Sequence, residues 1–148
     1  MPTDVDPTRA NRIADAVEEI ERNVTRLREY QRLSRGEYLA PDAQDRRDAA
    51  ERKFEKLVAA TIDVGSEICK IERGSVPERR KEVIAALESE GIVDPDLGER
   101  LRNAVGFRDV LAHAYGPVVN DDIVYDAIQH DLDRFVEFVT AVDAYLQR

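Results

Sequence analysis

The chain has one cysteine, one methionine and no tryptophan in 148 residues. A lone cysteine excludes an internal disulfide and any cysteine-rich metal site. Cys69 lies in an apolar helical stretch and is expected in the core. Glycine and proline are sparse and act as punctuation between apolar-periodic segments. No apolar run approaches the roughly 20 residues that a membrane span needs. The opening stretch MPTDVDPTRANR is acidic and polar, which does not read as a signal peptide, so a cytoplasmic protein without membrane attachment is expected. Positive charge is also short. The net charge of -9 argues against broad nucleic-acid affinity, which rests on a basic surface. Arginine greatly outnumbers lysine, and acid runs along the whole chain. That pattern resembles the acidic surfaces of proteins from salt-loving organisms.

What is abundant is Ala, Val, Ile, Leu, Arg and Glu, a composition that favours helices. Residues 1–148 fit a single domain, long enough to bury roughly two-thirds of its unfolded surface. The pattern predicts five helical segments and no strand. The first runs from about Pro7 to Arg35, with Ile13, Val17, Ile20, Val24 and Leu27 as one seam. The second runs from about Asp42 to Glu72 on a stripe of Ala50, Phe54, Leu57, Thr61, Val64 and Ile68. Its small residues Ala59, Ala60 and Gly65 allow close helix approach. A loop around GEYLAP makes the two an antiparallel hairpin, and the early DAQDRRDAAERK is expected to project from the core. A third helix follows Pro77 with Val83, Ile84 and Leu87 inward, closed by Gly91. Asp94 caps a fourth, with Pro95 at its first position, and the Gly116-Pro117 pair stops it. The fifth starts at Asn120-Asp121-Asp122 and carries Val124, Ile128, Phe135, Val139, Val142 and Leu146. The fold expected is all-α, an up-and-down bundle of four to five helices.

The fourth helix holds the chemistry. In GFRDVLAHAYGP, residues 106–117, an arginine precedes one of the chain's two histidines by five positions, and a tyrosine follows two later. At about 100° per residue, Leu97, Leu101, Ala104, Leu111 and Ala112 share an apolar face, and Arg108 falls near its middle. An always-charged guanidinium there is costly unless paired. It is expected to snorkel to the edge of the face or to pair with a core carboxylate such as Asp63 or Glu67. His113 points about 140° away, on the side of Arg102, Gly106 and Asp109. A histidine at a helix C-terminus reads first as a dipole partner. With a guanidinium nearby, it also reads as a proton carrier beside a phosphate holder. The two groups do not converge on a straight monomeric helix. Either the helix loosens before Gly116, or a second copy completes a shared cleft.

Arg108-Asp109-x3-His113 resembles the signature of the HEPN superfamily, and the longer Arg108-x4-His113-x-Tyr115 resembles the HepT toxins of HepT/MntA toxin–antitoxin systems. IDVGSEI, VPERRKEVIAALESEGIVDPDLGERL and GFRDVLAHAYGPV agree with such chains in order and spacing, over roughly residues 10 to 146. The resemblance implies a HEPN-like homodimer with its cleft at the interface. It implies a metal-independent endoribonuclease without a cofactor, with transfer RNA the expected target, in a type VII-like toxin–antitoxin pair. Arg108 and His113 carry over as catalytic, and Asp109 as the polar residue of the motif, where many relatives have Asn. Tyr115 carries over as the residue that an MntA-like minimal nucleotidyltransferase antitoxin modifies with AMP.

Arg100 and Arg102 flank the motif as candidate RNA phosphate contacts. His130 reads as solvated. Glu78-Arg79-Arg80-Lys81-Glu82 reads as an exposed helix start, with a basic RNA patch as the alternative. Asp121-Asp122 reads as capping, and no metal-ligand spacing appears. The residues alone leave open a non-catalytic helical module that partners a nucleotidyltransferase, and a structural dimer whose polar motif only fixes register.

Overall fold

The computed structural model describes residues 5–113 and 121–148; of Ala112 and His113 the backbone alone is described. Seven α-helices lie in these residues: α1 Pro7–Tyr30, α2 Arg35–Leu39, α3 Gln44–Arg73, α4 Arg80–Ser89, α5 Pro95–His113, α6 Asp121–His130 and α7 Asp133–Leu146. No strand occurs among them. The expected all-helical bundle stands, with more helices than the five expected.

The two additional breaks have local causes. Residues 31–34 leave the first helix, and Ser34 starts a new one: its hydroxyl accepts from the Glu37 N–H, while the Glu37 carboxylate accepts from the Ser34 N–H. This capping box builds α2 inside the stretch expected to be a loop. The last apolar stripe divides at Asp131-Leu132 because its halves pack on different neighbours. α6 lies on α1 and α2, and α7 lies on α1 and α5.

α1 and α3 run antiparallel, as expected. Ile13, Ile20, Val24 and Leu27 of α1 are buried, with Val17 packed against the core. All six stripe residues of α3 are buried, as is Cys69. Gly65 explains how α4 approaches α3: a Cβ there would stand 2.8 Å from Val83 Cγ1 and 3.2 Å from Leu87 Cδ1. Fully burying each large apolar side chain contributes roughly 1.5–3 kcal/mol, so the core of this bundle outweighs its surface ion pairs.

The start of α3 does not project. Arg47 is 6% exposed. Its Nη1 donates to the Tyr38 and Ala40 carbonyls at 2.8 Å each, and its Nη2 donates to Gln44 Oε1 at 3.0 Å. A sequence poor in apolar residues is held in by one guanidinium that satisfies the carbonyls at the end of α2.

Candidate active site

α5 is anchored at both ends of its described length. The Leu97 N–H donates to Asp94 Oδ1 at 2.7 Å, so Asp94 is the cap that the sequence predicts. Leu97, Leu101, Ala104, Val105 and Leu111 are buried. Phe107 sets its ring edge-on against Phe54 of α3, with centroids 5.2 Å apart and planes at 79°. Phe54 in turn meets Phe135 of α7. This aromatic column fixes the turn of α5 that carries the motif.

Arg108 follows Phe107 and lies partly buried, with 20% of its side chain exposed. Its Nη1 reaches Asp109 Oδ1 at 3.4 Å. Its Nε is buried without a hydrogen-bond partner among the described residues. Pairing with Asp63 or Glu67, one of the two expectations, does not occur. Glu67 is enclosed instead by Arg9 at 2.9 Å, Lys70 at 3.4 Å and Arg12 at 3.8 Å. Asp63 is exposed and near Glu67; partial desolvation, then that like charge, pushes its carboxyl above the usual range. Arg108 is therefore a cation on an apolar helix face with donor capacity left over.

Asp109 is the hub of the described site. Besides Arg108, it accepts from Arg80 Nη1 of α4 at 3.2 Å. Lys81 also comes in: a Cβ on Gly106 would stand 3.2 Å from Lys81 Nζ. The Arg80-Lys81 start of α4 is exposed, as expected, and it also borders the motif. The sequence held this in the short connection that turns α4 back onto α5, but helix arithmetic within α5 could not reveal it.

The flanking arginines are occupied. Arg102 Nη1 meets Glu88 Oε2 at 2.6 Å, in space that Gly98 leaves open: a Cβ there would lie 2.7 Å from the same oxygen. Arg100 holds Asp96 at 3.0 Å and Glu137 at 2.5 Å, and the Glu137 hydrogen bond raises its pKa further above its ordinary value. His113 is the last residue of α5, five positions beyond Arg108 on the helix backbone. Tyr115, the Gly116-Pro117 stop and any loosening before Gly116 lie outside the described residues. His130 is exposed. Among the described residues, no group of three or more His, Cys, Asp or Glu is placed to hold a metal ion, and no helix is long and apolar enough to cross a membrane.

These features define an all-helical bundle that carries an arginine, an acid and a histidine on the last turns of one packed helix. The chain belongs to the HepT-like ribonuclease family, whose profile matches residues 20–142. It is 25% identical over 97 residues to the mRNA nuclease HepT of Shewanella oneidensis, covering 66% of this chain and 72% of that protein. The fold matches the tri-AMPylated Shewanella oneidensis HEPN toxin in its complex with an MNT antitoxin, with a TM-score of 0.78 at 22% identity over 90% of this chain and 97% of that one. It also matches YutE, a cytosolic protein of unknown function from Bacillus subtilis, with a TM-score of 0.75 at 15% identity over 93% and 90% of the two chains.

Proposed function

We propose that this protein is an RNA-cleaving toxin whose reaction needs no metal ion. The observation that carries the reading is Arg108: a partly buried guanidinium with an unpaired Nε, on the helix that ends at His113. His113 takes the proton of an RNA 2′-hydroxyl or delivers one to the departing 5′-oxygen. The 2′-oxygen attacks phosphorus, and Arg108 stabilises the negative charge of the phosphorane. The bond to the 5′-oxygen breaks, leaving a 2′,3′-cyclic phosphate and a 5′-hydroxyl. Asp109 orients Arg108, and Arg80 offsets the charge that an acid would otherwise place beside the scissile phosphate.

A homodimer brings two such helix ends into one cleft. Val110, one residue from Asp109, is 57% exposed, and an apolar side chain there suits a partner copy. An MntA-like nucleotidyltransferase restrains the toxin by transferring AMP from ATP to Tyr115, with release of pyrophosphate. The added phosphate repels RNA from the cleft. Transfer RNA is the substrate that the motif's resemblance implies; the name of the Shewanella relative makes messenger RNA the second substrate to test. The toxin works in the cytoplasm, where both are present.

The test is end-group analysis. Purified protein is incubated with transfer RNA and with messenger RNA in excess EDTA. The reading expects cyclic phosphate ends on one of them. Cleavage that EDTA abolishes, or 3′-hydroxyl products, would contradict it.

A further inference from the structure

α1 and α3 form a groove of about 470 Å³ that plays no part in the site above. Arg22, Arg26 and one acid, Glu19, line it from α1, and Arg52, Lys53 and Lys56 from α3. The buried Asn23 lies among them, its amide donating to the Glu19 carbonyl at 2.8 Å. Arg22 is paired with Glu19. Arg26, Arg52, Lys53 and Lys56 have no carboxylate within ion-pair distance among the described residues, although the chain carries 31 acids. Lys53 instead lies over the Tyr30 ring at 5.7 Å.

Folding does not favour this arrangement. Arg22 and Arg26 are four apart on one helix, as are Arg52 and Lys56 on the other. Like charges at that spacing cost a helix roughly 0.2–0.5 kcal/mol, which on α1 the Arg22–Glu19 pair offsets, and the two pairs face each other across the groove. An acidic protein that keeps uncompensated cations in one concavity offers a site for a polyanion.

The groove is tied to the motif through one turn of α3. Phe54, between Lys53 and Lys56, carries the ring on which Phe107 rests, next to Arg108. One interaxial distance plus half a helix width is roughly 15 Å. A single strand crosses that distance in a few nucleotides.

We propose that Arg26, Arg52, Lys53 and Lys56 bind the phosphodiester backbone of the RNA substrate, a few nucleotides from the bond that is cut. The contact is sequence-independent, and it explains how a chain of net charge -9 retains RNA. This inference rests on the ribonuclease reading, but its test does not depend on turnover.

The probe is a fluorescein-labelled polyuridylate of about 20 nucleotides, bound to full-length His113→Ala protein and followed by anisotropy. The comparison adds Arg26→Gln, Arg52→Gln, Lys53→Gln and Lys56→Gln together. If each cation holds one phosphate, the log–log salt slope falls by about 3, since each single-strand contact contributes about 0.7. Between 50 and 200 mM salt, the parent then loses about 50-fold more affinity than the neutralised protein. Equal affinities and equal slopes would overturn the proposal. So would a neutralised protein that keeps RNA but no longer binds the nucleotidyltransferase, since the groove would then dock protein. A second arm uses the active protein and a dinucleoside monophosphate, too short to reach the groove. Its cleavage is expected to be unchanged by the four substitutions, and a loss there would also overturn the groove's separate role. If the active protein cuts neither substrate while the salt slopes still differ, the ribonuclease reading fails and the polyanion groove stands.

Discussion

Replacing Glu51 by Gln probes the electrostatics that seat α6, the helix that follows the motif segment. Glu51 is half-buried on α3. Burial first, then the Asp121 carboxylate, push its carboxyl from 4.5 up to about 7. Asp48 and Glu55 act in the same direction. Arg47 is the facing cation, 3.5 Å from Asp121, and the buried Tyr38 phenol completes the surroundings. The unfolded chain gives up this proton near 4.5, and the folded chain holds it to about 7. Between those values the native state binds more protons, so stability declines as pH rises through the window. The interval corresponds to about 3 kcal/mol, and partial solvent access reduces it to about 1–2 kcal/mol. Urea unfolding at pH 5 and pH 8 measures it. The wild type should lose about 1–2 kcal/mol more than Glu51→Gln between the two. Equal losses would refute the reasoning, because Glu51 would then titrate alike in both states.

Three other outcomes follow from the same contacts. Arg80→Ala leaves Asp109 with Arg108 as its remaining ion-pair partner, next to the phosphate that the proposed reaction cuts. It should lower kcat/KM for RNA about five-fold, and Asp109→Asn in the same chain should restore most of that, a coupling of about 1 kcal/mol in a double-mutant cycle. Gly65→Val forces a side chain into space held by Val83 and Leu87, and should cost about 1–3 kcal/mol in chemical denaturation. Melting in dilute buffer and in molar salt tests the likeness to salt-adapted proteins: the melting temperature should rise with salt, and equal values would remove it.

Periodicity alone reached the seams of α1 and α3, the Asp94 cap and the burial of Cys69, because burial repeats with the helix and caps use few residue types. It missed α2, whose capping box is two side chains within a loop, each closing on the other residue's backbone N–H. It also missed buried Arg47, because a guanidinium can fill an interior position once carbonyls converge on it. At the site, placing Arg108 on the apolar face was a one-dimensional inference, and the buried Nε agrees with it. Arg80 reaches Asp109, and Arg9 and Arg12 reach Glu67, from other helices, and helix geometry within one segment carries no information about those. The pairing of Arg102 with Glu88 was hidden for the same reason, although Gly98, which makes room for it, stood in the sequence.

The central claim is that His113 moves the proton in RNA cleavage. The most direct measurement is single-turnover cleavage of RNA in EDTA by wild type and by His113→Ala. Removing a general acid or base should slow the reaction by about 10²–10⁴-fold while RNA binding holds. A His113→Ala protein that cleaves at the wild-type rate would contradict the account.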